Sequence, residues 1–117
     1  MAVFTHDIET LGPIWVVHLS GRLTDPFVVK RLMEDLSEKC EGVEPLNIII
    51  DLKSLEYLNS SGLQAMLLIL KMTRANSGET WVCNVPDRIK KLLVTTKLEH
   101  IFKHIDTYQQ AVESLEK

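Results

Sequence analysis

Asp51-Leu52-Lys53-Ser54-Leu55-Glu56-Tyr57-Leu58-Asn59-Ser60-Ser61-Gly62-Leu63 is the stretch on which the fold turns. Just before it, Asn47-Ile48-Ile49-Ile50 joins Asp51-Leu52 in a run with an apolar centre and polar ends, the pattern of a strand covered on both faces. The strand ends near Leu52, a short loop crosses, and a helix starts at small polar residues. A helix beginning exposes unpaired N–H groups and a partial positive charge, which favours an anion there. Two hydroxyls, Ser60 and Ser61, stand at that point.

Two readings of the helix start are open. Ser61-Gly62-Leu63-Gln64 fits a capping box, which would occupy Ser61 and leave Ser60 one step outside the helix. Alternatively Asn59 is the cap, with Leu58 and Leu63 as a hydrophobic staple. Under either reading Ser60 is the freer hydroxyl. The helix that follows is apolar on two sides: Leu63, Met66, Leu67 and Leu70 form one stripe, and Ala65, Leu68, Ile69 and Met72 form another. Either this helix is sandwiched within the fold or one side meets another protein; a contact surface beside Ser60 is the favoured expectation, because a chain this short has little material to cover both.

Working outward, Val3 to Ile8 and Ile14 to Leu19 read as a hairpin across the Gly12 turn, the second strand ended by Ser20-Gly21. Thr24 or Asp25 caps a helix with Pro26 at its first position. Its inward residues are Phe27, Val28, Leu32, Met33 and Leu36, and it runs as far as Cys40. The Ser61 helix stops at Asn76-Ser77-Gly78, and Thr80 to Val85 is a further strand halted by Pro86. Asp87 to Thr95 is a short helix, His104-Ile105 a last edge strand, and Asp106 or Thr107 caps a terminal helix through Leu115. Strands alternating with helices after an opening hairpin predict a mixed sheet with helices packed on it.

The whole chain has 117 residues, 45% hydrophobic and 25% charged, enough for one domain with its own core. Thirteen Lys and Arg against sixteen Asp and Glu leave a net charge of −3, which speaks against a nucleic-acid binder. Cys40 and Cys83 make no disulfide framework, and the beginning of the sequence lacks the pattern of a secretion signal. The longest apolar run, Ala65 to Leu70, is too short to enter a bilayer as a spanning segment. A cytoplasmic protein without direct membrane insertion is expected.

Asp51-Leu52 followed by Leu58-Asn59-Ser60-Ser61-Gly62-Leu63 resembles the signature of the STAS domain, as found in bacterial anti-sigma factor antagonists. The resemblance covers nearly the whole chain, and Ser20-Gly21-Arg22-Leu23 matches the loop that closes the family's opening hairpin. It implies a single α/β domain over residues 1–117, a STAS-like mixed sheet with about four helices mainly on one side. It further implies an anti-sigma factor antagonist that binds an anti-sigma serine kinase when unphosphorylated, is released on phosphorylation, and is restored by a serine phosphatase. Carried over by motif, the phosphorylated residue is Ser60, with Ser61 as second choice. The partner-binding set is Arg22, Thr24, Asn59, Ser60, Ser61, Gly62, Ala65, Leu68, Ile69 and Met72. Asn59 stands where the family usually has Asp, and Arg22 and Thr24 stand where members often have acids, so negative charge near Ser60 is reduced.

The alternative reading keeps the domain but makes it a STAS accessory subunit of a lipid-transport ABC complex, or a stress-signalling scaffold, that binds without being phosphorylated. An enzyme is not expected: Leu58 occupies the first glycine position of a Gly-x-Ser-x-Gly elbow. His100 and His104 are four apart, but no Cys or acid completes a metal set at recognised spacing, so neither metal nor cofactor is expected.

Overall fold

The computed structural model describes residues 3–116; the reading of Met1 and Ala2 lies outside these residues. The chain runs β1 (Thr5–Leu11), β2 (Ile14–Leu23), α1 (Pro26–Lys39), β3 (Asn47–Leu58), α2 (Ser60–Ala75), β4 (Thr80–Cys83), α3 (Asp87–Thr95), β5 (Lys103–His104) and α4 (Tyr108–Leu115). The five strands lie side by side in chain order. β1 and β2 form the expected antiparallel hairpin, and the remaining pairs are parallel.

Alternation along the strands divides the sheet into two apolar faces. Val17, Leu19, Ile48, Ile50, Leu52 and Val82 meet Leu32 and Leu36 of α1, Ala65, Met66 and Ile69 of α2, and Ile89 and Leu93 of α3. Ile14, Val16, Ile49 and Trp81 meet Ala111 of α4 on the other face. The result is a mixed α/β sheet with three helices on one side and one on the other.

Three sequence expectations change. β2 and β3 each run further than Leu19 and Leu52, because Ser20–Leu23 pairs with Ser54–Leu58 instead of turning. The register slips between His18 and Ser20 and between Gly21 and Arg22, and Gly21 takes a φ of +89° within the strand. A turn signal thus serves as a bulge, and the Ser20–Leu23 segment is strand rather than a closing loop. A Cβ at Gly21 would lie 2.4 Å from the Val3 carbonyl oxygen, so only glycine lets the chain before β1 cross there. β4 ends at Cys83, where Asn84 adopts a left-handed φ of 53°. Phe27, predicted inward, is 79% exposed on the first turn of α1, while Val29 is buried in its place.

Candidate functional site

Parallel strands β2 and β3 both finish at one end of the sheet, and α1 and α2 both begin there. Clefts at the carboxyl ends of parallel strands are where α/β sheets present their ligand-facing groups. Asp25 caps α1 by accepting from the Phe27 N–H at 2.9 Å, with Pro26 at the first helical position. Asn59 caps α2: its Oδ1 accepts from the N–H groups of Ser61 at 2.9 Å and Gly62 at 3.3 Å. Its Nδ2 donates to the Thr24 carbonyl at 3.1 Å, and its backbone N–H donates to Leu23 O at 3.4 Å.

Of the two helix starts open in the sequence, the structure takes the Asn59 cap. The Ser61 capping box does not form, because α2 already starts at Ser60 and Ser61 lies inside the helix, not at its cap. Ser60 is the first residue of α2, exposed, and its hydroxyl makes no hydrogen bond among the described residues. Ser61 is half-buried and turns toward α1. Asn59 and Thr24 therefore meet through a hydrogen bond at this end, with Ser60 directly after Asn59, while Arg22 near the end of β2 has its side chain on Tyr57.

The helix stripe is not exposed as a whole. Ala65 and Ile69 are fully buried, so neither is available to a partner. α2 is the middle helix of its layer, packed against α1 as well as over β3 and β4, and this contact covers the second stripe from within the fold. Leu68 and Met72 of that stripe stay partly exposed. Gly62 is buried too: a Cβ there would sit 2.5 Å from Leu58 Cβ and 2.7 Å from Leu23 O. It is a close-packing glycine under the helix tip, not a contact residue.

Three features escaped the sequence reading. A groove of about 650 Å³ runs between α1 and α2, with Pro26, Val29, Met33 and Leu68 as apolar lining and Lys30, Glu34, Ser61 and Gln64 as polar lining. Phe27 stands exposed on the first turn of α1, and the only sequence signal for it was a large apolar residue directly after the helix-opening proline. Near the end of β2, the Arg22 guanidinium lies over the Tyr57 ring, 4.7 Å from its centroid, in the register that follows the bulge at Gly21.

Chemically the site offers a free hydroxyl on a helix tip, a stacked cation and apolar surface to either side. Among the described residues no base lies next to Ser60 that would make the hydroxyl a nucleophile; the four histidines lie elsewhere, His6 on Asp35, His18 on Glu9 and Asp51, His100 near Glu99, and His104 on the Glu99 carbonyl. Neither thiol is activated: burial pushes Cys83 up to about 11, assisted by the Asp51 charge, and burial also raises Cys40.

Comparison with known proteins agrees with this architecture. The chain is 30% identical over 109 residues to an anti-sigma F factor antagonist of Paenibacillus polymyxa, covering 93% of this chain and 90% of the relative. In fold it is similar to an anti-sigma factor antagonist of Mycobacterium paratuberculosis, at a TM-score of 0.78 and 21% identity over 98% of this chain and 96% of the other. The phosphorylated Bacillus cell fate determinant SpoIIAA is similar at 0.70 and 20% identity, over 95% and 99%. Residues 5–111 match the STAS domain, and the chain belongs to that family.

Proposed function

We propose that this protein is an anti-sigma factor antagonist that works by partner switching, binding and releasing rather than catalysing. Its unphosphorylated form docks the α1–α2 end on an anti-sigma serine kinase; transfer of phosphate to Ser60 ejects it, and a serine phosphatase restores it. The observation that carries the reading is the uncommitted Ser60 hydroxyl at the first position of α2, with Asn59 doing the capping. The relative named an anti-sigma F factor antagonist and the phosphorylated form of SpoIIAA support it.

The physics of the switch follows from that position. A phosphoserine adds about −1.5 to −2 charges. On the free protein that dianion sits in solvent beside a positive helix end and is tolerated. In a docked interface it would lose its water without a prepared partner, which is costly. The modification therefore acts on association and leaves folding alone.

The test uses an anti-sigma serine kinase from the same cell with ATP. Phosphate should map to Ser60 by mass spectrometry; Ser60→Ala should keep kinase binding and Ser60→Asp should lose it. Equal binding by the two variants would remove the switch, and copurification with an ABC-type ATPase in place of a kinase would favour the accessory-subunit reading.

A further inference from the structure

Strand β1 is an outer edge of the sheet, bonded on one side only, to β2. On the face that carries α4, a line of side chains ties it to three further parts of the fold. His18 Nε2 lies 2.7 Å from Glu9 Oε1 on β1, His18 Nδ1 lies 2.7 Å from Asp51 Oδ2 on β3, and Asn84 Nδ2 donates to Asp51 Oδ1 at 2.9 Å. Both neighbours of the imidazole are carboxylates, which when ionised can accept hydrogen bonds but not donate them. Two such bonds at once need a proton on each ring nitrogen, hence the imidazolium.

The surroundings favour that form. From β1, Asp7 stands opposite His18 in register beside Glu9; from β3 comes Asp51, and opposite Asp51 on β4 lies Cys83. Lys53 gives Asp51 its backbone N–H, and on α4 the Tyr108 hydroxyl is spent on the Leu11 carbonyl. Burial alone would lower the His18 pKa, but the hydrogen bonds and charges of Glu9 and Asp51 outweigh it and raise it above 6.5.

We propose that Glu9, His18 and Asp51 form a pH-operated clasp that grips edge strand β1 while the imidazole holds both ring protons and slackens when one leaves to solvent. After that loss one carboxylate faces a lone pair. Asp51 stays put, held by Asn84 and the Lys53 N–H. Glu9, 47% exposed on a flexible stem, is the group that lets go. The grip extends toward the Ser60 end, because the chain just before β1 lies over Gly21, next to Arg22. The clasp is fully engaged below about 6.5, provided the carboxylates are ionised, and is lost as pH rises through the elevated folded value.

Amide hydrogen exchange read by NMR on the intact protein, corrected for intrinsic rates, tests this. Between about pH 6 and pH 8, protection of the β1 amides should fall roughly tenfold relative to those of β3, the difference between a charge-assisted and a neutral hydrogen bond. Glu9→Gln keeps an acceptor but removes the charge, and should flatten the response. Equal pH response in β1 and β3, a His18 ring that titrates at or below 6.5, or a full response retained in Glu9→Gln would each overturn the clasp.

Discussion

Asn59 Nδ2 donates to the Thr24 carbonyl at 3.1 Å while its Oδ1 holds the first N–H groups of α2. One amide therefore ties the starts of two helices together across 35 residues of sequence. An aspartate could cap α2 equally well, but it has no donor for Thr24 and would set a charge against that carbonyl. The asparagine at this place is a latch as well as a cap.

Asn59→Ala removes both functions and should lower stability by about 1–2 kcal/mol, the usual cost of a lost cap plus a part-buried hydrogen bond. Asn59→Asp should fall between that variant and the natural protein, because the cap survives and the latch does not. Urea titrations monitored by circular dichroism decide it; an aspartate variant as stable as the natural protein would show that the Thr24 bond contributes nothing.

Ser60→Glu places a negative charge on the first turn of α2, where neighbouring N–H groups carry partial positive charge. Stability should be unchanged or should rise by up to about 1 kcal/mol. Thermal unfolding of this variant, run beside the binding assay, separates an effect on docking from an effect on folding. A clear fall in melting temperature would mean the tip of α2 is less open than its exposure indicates.

Much of this was legible in the sequence, for identifiable reasons. Long-period patterns gave the helices: Pro26 after Asp25 marks the start of α1, and Asn76-Ser77-Gly78 marks the end of α2, where a Cβ at Gly78 would fall 1.7 Å from Leu46 O. What failed was anything set by pairing between distant segments. Ser20-Gly21 carries the local chemistry of a turn, yet its partner strand draws it into a bulge. Ala65 and Ile69 lie on a stripe whose cover, α1, periodicity within α2 cannot reveal. The helix start at Asn59 and Ser60 was legible because it is a local event.

Gly62→Ala tests the tightness of packing beneath Ser60. The added methyl would meet Leu58 Cβ and the Leu23 carbonyl, and the carbonyl belongs to backbone that cannot swing aside. Helix propensity would favour alanine by about 1 kcal/mol, but overpacking typically costs 1–3 kcal/mol, so a net loss is expected. A stabilised Gly62→Ala protein would contradict the close approach of α2 to the end of β2.

Acid should unfold the protein through Asp51 and Asp35. Burial works to raise Asp51, but bonds from Asn84, the Lys53 N–H and His18 prevail and hold it below 3.8. The His6 hydrogen bond, despite some desolvation and with help from Lys39, does the same for Asp35. A depressed folded value means the stabilisation is present above about 3.8 and is lost as pH falls through that value. The urea midpoint should therefore drop on acidification below about pH 4, and Asp51→Asn should shrink the drop. An unchanged acid slope in the variant would remove Asp51 from the account.

Leu68 and Ile69 are neighbours on α2 with opposite surroundings, and their alanine variants should part company. Ile69 is fully buried among residues of the main core, so Ile69→Ala should cost about 2–5 kcal/mol through lost burial and a cavity. Leu68 lines the open groove against Met33 and Pro26, and its truncation should cost on the order of 1 kcal/mol or less. If the groove receives an apolar side chain of the proposed kinase partner, Leu68→Ala should weaken that binding by about tenfold, the scale of a moderate interface residue. Ile69→Ala protein that remains folded should bind as the natural chain does, since its side chain never reaches the surface. Comparable losses of stability in both variants would place Leu68 in the core and leave the groove without a role in docking.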